Sequence, residues 1–381
     1  MAKPLADLDD YPAARNCTYL DAASIAIMYR AAAETVIDWQ QDLADYGTQY
    51  FTEAAEVEIF DALHNATARL FNARPEDIAV ASSETVLMSS LAWAVAPPAG
   101  TNIVGCDVAH PSTIYPWLRV ARHTGCEVRW ARGRDHYVSP DDIVRLIDDD
   151  TAVVCVSHVE YGGGQRYDLA ALAEVAHAHH ALLIVDATQS AGQCPIDVAA
   201  TGVDALAGSA YKWLCGPFGV AALYVAPHLQ TKLEPGLVGW RSHKDMWDFQ
   251  ADRLEYPDTA QRFEFGTMAY GNAAGLAKAI TNLVEIGVDR IFEHNKALGD
   301  ALILGLEDRN AQIISPRNDD ERSSIVAARF PGHDAADVAR ALGRENVVVS
   351  LRKDFIRFSP HLYNDADDVQ KALQALDRII D

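Results

Sequence analysis

The apolar run LLIV (Leu182–Val185) ends in one acid, Asp186, and Gln189 follows three residues later. Such a run reads as a buried strand that delivers Asp186 at its carboxyl end. Further on, GSAYKWLCGPFG (Gly208–Gly219) places a single lysine, Lys212, at the edge of a second strand. A buried carboxylate left unpaired is costly, so Asp186 needs a cation. Lys212 stands in an apolar, glycine-rich setting with no charge beside it, where a lysine without a chemical task would be strained. An amine and a carboxylate at the mouth of one parallel sheet suit an aldehyde carried on a pyridine ring. The amine captures the aldehyde as an imine, and the acid keeps the ring nitrogen protonated so that the ring can draw electrons from a bound amino acid. Pyridoxal 5′-phosphate (PLP) is the cofactor with that chemistry. The competing reading, a strand-end acid on a ribose, requires an upstream GxGxxG, which the chain lacks.

The elements that must position these groups alternate from about residue 60 to 260. Strands are expected at Ile78–Ser82, Asn102–Asp107, Glu127–Ala131, Ala152–His158, Leu182–Ala187, Ala205–Ser209 and Ala221–Val225, with amphipathic stretches such as Pro140–Asp148 and Leu169–His179 between them. Alternation of this kind predicts a mainly parallel α/β sheet covered on both faces, with ligands at the carboxyl ends of the strands. Asp186, His158 and Ser209 all fall there. After about residue 275 the pattern changes to one long helical stretch (Ala273–Glu307), short strands at Gln312–Ser315, Ile325–Arg329 and Val347–Leu351, and a final amphipathic helix. The division expected is a large cofactor-binding domain over 26–272 and a small α+β domain from 1–25 and 273–381, packed as one unit around a cleft.

Bulk properties narrow the partners. A chain of 381 residues, 49% hydrophobic, buries a large core, and a formal charge of −22 repels nucleic acid and anionic lipid. A small anionic ligand must therefore find a local site of N–H groups, Lys and Arg. The start, MAKPLADLDDYP, has no apolar core of signal-peptide length and no run is long enough to span a membrane, so a cytoplasmic location is expected. Six scattered cysteines without a CxxC pair fit reduced thiols rather than disulfides or zinc, and no metal is expected.

These motifs resemble the class V aminotransferase family of fold-type I PLP enzymes, the group containing cysteine desulfurases, kynureninase and isopenicillin N epimerase. The likeness runs from YLDAAS (Tyr19–Ser24) to the final helix and implies a seven-stranded sheet plus a smaller C-terminal domain. It makes Lys212 the Schiff-base lysine, Asp186 the partner of the ring nitrogen and Gln189 a neighbour of the phenolic oxygen. His110, in CDVAHPSTIYPW, matches the aromatic position that stacks on the cofactor face. ASSETVLMSSLAW puts hydroxyls at a helix start, a natural anion site, and Ser83 and Glu84 match the family's small-Thr-Glu phosphate loop with Thr85 as a neighbouring candidate. Ser209 and Tyr211 match a Ser-x-His-Lys motif in which tyrosine here replaces histidine. Thr267, in FEFGTMAYGN, matches a residue that reaches the phosphate of a neighbouring subunit, which implies a homodimer. Arg357, in IRFSPHLYND, resembles the arginine whose planar fork binds the substrate carboxylate. His158, Tyr161 and Arg241 are further candidates to face the substrate, the last because the family has a Gly-Trp turn there.

One departure bears on the reaction. The family's cysteine desulfurases carry a nucleophilic cysteine on a loop shortly before the substrate arginine, whereas this chain has GRENVVVSLRKDFIR and no cysteine after Cys215. Persulfide chemistry through an enzyme thiol is therefore not expected. The resemblance leaves an α-amino-acid lyase that β-eliminates a cysteine S-conjugate in specialised metabolism, such as antibiotic biosynthesis. Its rivals are decarboxylation-coupled oxidative deamination, epimerisation, transamination, or a silent PLP-fold binding protein.

Overall fold

The computed structural model describes residues 3–379. The chain opens with β1 (Thr18–Tyr19) and then builds a seven-stranded sheet from β2 (Ile78–Ala81), β3 (Asn102–Cys106), β4 (Glu127–Ala131), β5 (Thr151–Ser157), β6 (Leu182–Asp186), β7 (Ala205–Ser209) and β8 (Ala221–Val225). The strand order is β2-β8-β7-β6-β5-β3-β4, parallel throughout except that β8 runs against both of its neighbours. All seven strands stand where the sequence places them, within a residue or so at each end.

Alternate residues of these strands face opposite ways, and in all but the edge strand β4 both ways are buried. Val104, Val154, Val156, Leu183 and Val185 join one apolar cluster, whereas Ile103, Val153, Cys155 and Ile184 join another on the opposite face. A strand covered on both faces has no polar side, which is why LLIV is continuous rather than alternating. Helices Leu169–Ala178 and Pro111–Thr124 are among those that cover it.

The last third forms a four-stranded antiparallel sheet, ordered β12-β13-β10-β9, from β9 (Gln312–Ile313), β10 (Val326–Arg329), β12 (Ser350–Arg352) and β13 (Phe355–Phe358). Its core of Leu298, Leu302, Val326, Ile356 and Leu373 also takes in Leu20 from the amino-terminal segment.

Two expectations need correcting here. The helical stretch Ala273–Glu307 is two helices, Tyr270–Ile286 and Val288–Glu307, because Gly287 between them has a φ of 95° that no helix accommodates. The strand Val347–Leu351 also divides. Val347 and Val348 form β11, which pairs in parallel with β1, and the chain then turns into β12, which pairs with β13. One apolar run thus serves two sheets, a choice set by the distant Thr18–Tyr19 segment.

Among the described residues, no helix is long and apolar enough to cross a membrane, and no group of three or more His, Cys, Asp or Glu side chains could hold a metal ion. The six cysteines are free.

Candidate active site

The carboxyl ends of β3, β5, β6 and β7 open onto one cavity that encloses about 360 Å³ of empty space, open solvent included. Asp186, Lys212, Gln189, Ser209 and Tyr211 line it from the β6 and β7 side. Glu84, Thr85, His110 and Tyr161 line it from the other elements. Residues separated by more than a hundred positions thus meet because parallel strands end at one edge.

Asp186 is buried and held at both oxygens. Its Oδ1 accepts from the Thr188 backbone N–H at 2.8 Å, and its Oδ2 accepts from the Thr113 hydroxyl at 2.7 Å. The acid is therefore fixed in orientation but has no ion-pair partner of its own among the described residues. A protonated pyridine nitrogen is a fitting cation for it.

Lys212 lies in the turn after β7, its Nζ 5.8 Å from the centre of the Tyr211 ring. Burial pulls the ammonium down to about 8, with Arg357 and Arg352 adding repulsion, while Asp186 and Glu84 oppose the fall. A neutral amine at the mouth of the sheet can attack an aldehyde or accept a proton. The turn is packed tightly against Gly192, which has a φ of 94°. A Cβ there would lie 2.4 Å from the carbonyl oxygen of Trp213. Gly192→Ala is accordingly expected to cost about 2–4 kcal/mol and to displace Lys212. A lowered Tm together with faster cofactor loss on dialysis would be the signature.

The helix Glu84–Val95 points its first turn at the cavity, capped by the Ser83 hydroxyl, which accepts from Val86 N–H at 3.2 Å. Ser83 itself stands just behind the wall rather than in it. Glu84 is buried, its Oε1 has no partner, and its Oε2 accepts from Thr85 at 3.3 Å. Burial, aided by the charge of Asp186, holds the Glu84 carboxyl well above the usual range. The free N–H groups of the helix's first turn, beside a carboxyl that burial pushes up, fit an anion. His110 caps the helix Pro111–Thr124, accepting from Ser112 N–H at 3.3 Å, and meets Tyr161 edge-on at 5.4 Å. Tyr211 stacks on Phe218 at 4.4 Å, so its ring is fixed by packing.

Gln189 lines the cavity, but its side chain is largely committed. Its amide donates to Ala23 O at 3.0 Å and its Oε1 accepts from Trp213 Nε1–H at 2.8 Å. One amide hydrogen remains for a cofactor oxygen.

Arg357 is fully buried behind the Tyr161 wall. It donates to Tyr161 O and to Ser24 Oγ, both at 2.7 Å, with Asp21 Oδ1 at 3.7 Å and its Nε unpartnered.

Besides Ser83 and Arg357, three sequence assignments do not line this cavity. His158 is buried just beyond β5, but the side chains that reach the cavity are its neighbours Ser157 and Val159, since successive side chains alternate. Its Nδ1 has no partner, and burial pushes the imidazole down to about 3. Arg241 lies instead in a second cavity with His64 and Glu264. There it donates to Glu56 O at 2.9 Å and sits 4.7 Å over the Phe60 ring. Thr267 is exposed and away from its own chain's cavity.

Other groups were not anticipated. Thr113 is one turn into the helix after His110, and Thr188 lies between Asp186 and Gln189. Both positions were legible as neighbours of the motif. Ser24 and Arg352 were not, because nothing local links them to Lys212.

The comparisons agree with this geometry. Residues 18–372 match the family model described as aminotransferase class-V. An uncharacterised aminotransferase of Bacillus subtilis is 29% identical over 96% of this chain and 95% of its own length. A cysteine desulfurase from Thermococcus onnurineus, solved in its apo form, superposes with a TM-score of 0.89 at 24% identity, covering 100% of this chain and 98% of that one. A cystine C–S lyase, solved with its product cysteine persulfide, gives 0.86 at 23% identity over 97% and 99% of the two chains. Likeness at that identity speaks to the fold alone, but the family match spans nearly the whole sequence. The chain is a member of the class-V aminotransferase family of enzymes, and its cofactor is pyridoxal 5′-phosphate.

Proposed function

We propose that this enzyme is a carbon–sulfur lyase that β-eliminates a cysteine S-conjugate. The observation that carries the reading is the hairpin ahead of Arg357. β12 and β13 are joined by only Lys353 and Asp354, and no cysteine occurs after Cys215. A desulfurase needs a thiol there to accept sulfur, so sulfur released at this site must leave with its substituent.

PLP, when bound, supplies the electron sink that lets a proton leave Cα of an attached amino acid. The residues proposed to hold it are Asp186 at the ring nitrogen, Gln189 at the ring oxygen and His110 across the ring face. Glu84, Thr85, Ser209 and Tyr211 surround the phosphate, with Ser83 ordering that loop. Arg357, which donates to the carbonyl of the cavity-wall residue Tyr161, is assigned to the substrate carboxylate. Lys212, whose ammonium burial pulls down, takes the Cα proton at Nζ. Loss of the thiolate from Cβ and addition of water then give a thiol, pyruvate and ammonium in equal amounts, a balance needing no external oxidant.

We assign Thr267 to the site of a second subunit of a homodimer. It is exposed and remote from its own cavity, and exposed Ile37, Tyr50 and Phe249 offer apolar surface for pairing.

The test is product analysis with S-substituted cysteines and the PLP-loaded enzyme. Equimolar thiol, pyruvate and ammonia are expected. An aldehyde with carbon dioxide, a D-amino acid, or a keto acid with the amino group left on the cofactor would each overturn elimination in favour of another reaction.

A further inference from the structure

The hairpin that lacks a thiol carries a second guanidinium. Ser350 on β12 pairs directly with Arg357 on β13, so Arg352, two residues along, shares that face of the hairpin as a diagonal neighbour of Arg357. Both guanidiniums converge on one oxygen: Arg357 Nη2 donates to Ser24 Oγ at 2.7 Å and Arg352 Nη2 donates to it at 3.0 Å. Two donors fill the lone pairs of Ser24 Oγ, so its own hydrogen points to Ser350 Oγ, 3.1 Å away.

Two cations on one neutral hydroxyl repel each other. Among the described residues, the only carboxylate paired with either arginine is Asp21, 3.7 Å from Arg357, and Arg352 has no ion-pair partner. The Nε of each arginine is buried and unpartnered. This is not for want of acids, since the chain has 54 of them against 32 basic residues. The nearest in sequence, Asp354, is taken by Arg329 at 2.6 Å. The positive excess also reaches the cavity. Arg352 pushes down both the Lys212 ammonium and the His110 imidazole, in each case behind the larger effect of burial.

We propose that Arg352 is a specificity-determining residue that binds a second acidic group, so that the preferred substrates are α-amino acids whose side chain ends in a carboxylate. On the elimination reading these are S-carboxyalkyl cysteines. The proposal rests on Arg357 holding the α-carboxylate, which leaves Arg352, bonded only to the neutral Ser24 Oγ and Leu351 O, as the cation for a distal one.

The experiment titrates the PLP-loaded full-length enzyme with S-carboxymethyl-L-cysteine and with its neutral isostere S-carbamoylmethyl-L-cysteine. Binding is read as the initial change in cofactor absorbance on mixing. The wild-type enzyme is expected to bind the acid at least about tenfold more tightly than the amide. Arg352→Gln should bring that ratio to within about threefold of one, and Arg352→Lys should restore part of it. A wild-type ratio near one overturns the proposal without any variant. So does an Arg352→Gln enzyme that binds both ligands more weakly but keeps the ratio. Because binding is recorded whatever becomes of the ligand, absence of pyruvate would count against elimination and leave the ratio to judge Arg352.

Discussion

Lys212→Ala is expected to abolish the visible absorbance of the bound cofactor and to lower turnover by about 10³-fold or more. The amine does two jobs that no neighbour can assume. On the proposed function it anchors the aldehyde and accepts the Cα proton from a position fixed by the turn after β7. Burial pulls it down to about 8, so about half is neutral at pH 8, against roughly 0.3% for an ordinary lysine. In the cofactor-free protein, reaction of Lys212 with an amine-directed reagent should therefore rise with pH through that region as the amine loses its proton, then level off. Borohydride reduction followed by peptide mapping gives a readout independent of activity. The label should appear on the Lys212 peptide of the wild-type enzyme and nowhere in the variant. Retention of the absorbance in Lys212→Ala, or a label on another lysine, would defeat the assignment.

The same residue marks how far the sequence could be read. Lys212 and Asp186 were legible because burial makes each costly without a chemical partner, and because LLIV can only be a strand covered on two faces. Most of the sheet strands follow from that same continuity of apolar residues, whereas the edge strand β4, EVRWA, carries Glu127 and Arg129. What stayed hidden depends on long-range pairing. Thr18–Tyr19 captures Val347–Val348 and frees Ser350–Arg352 to pair with Phe355–Phe358, and that choice brings Arg352 and Arg357 together over Ser24. No local pattern encodes it. His158 illustrates the opposite error. Its position at a strand end was readable, but the one-residue alternation that turns its side chain away from the cavity was not. Arg241 was assigned through a turn in the family motif, and its contacts with Glu56 O and the Phe60 ring are made by segments nearly two hundred residues away.

Asp186→Asn should separate charge from shape. Asparagine keeps one oxygen to accept from the Thr188 N–H, and the Thr113 hydroxyl can rotate to accept from the new amide, so the fold should lose only about 1 kcal/mol. The negative charge is gone, and with it the group proposed to keep the ring nitrogen protonated. Turnover is expected to fall about 10²–10³-fold, the scale seen when one electrostatic partner of a reacting group is removed. The rise in Tm produced by added PLP should shrink as well, because ligand stabilisation tracks affinity. A further consequence does not involve turnover. Asp186 is the leading group that raises the Lys212 ammonium against burial. Without its charge the amine should titrate below about 8, and in the cofactor-free protein it should react faster than wild type with an amine-directed reagent at neutral pH. Asp186→Ala lacks this clarity, since it also strands the Thr113 hydroxyl and the Thr188 N–H and should cost roughly 1–3 kcal/mol more. Wild-type turnover together with unchanged Lys212 reactivity in Asp186→Asn would mean that the acid at the end of β6 orders the turn and does nothing for the chemistry.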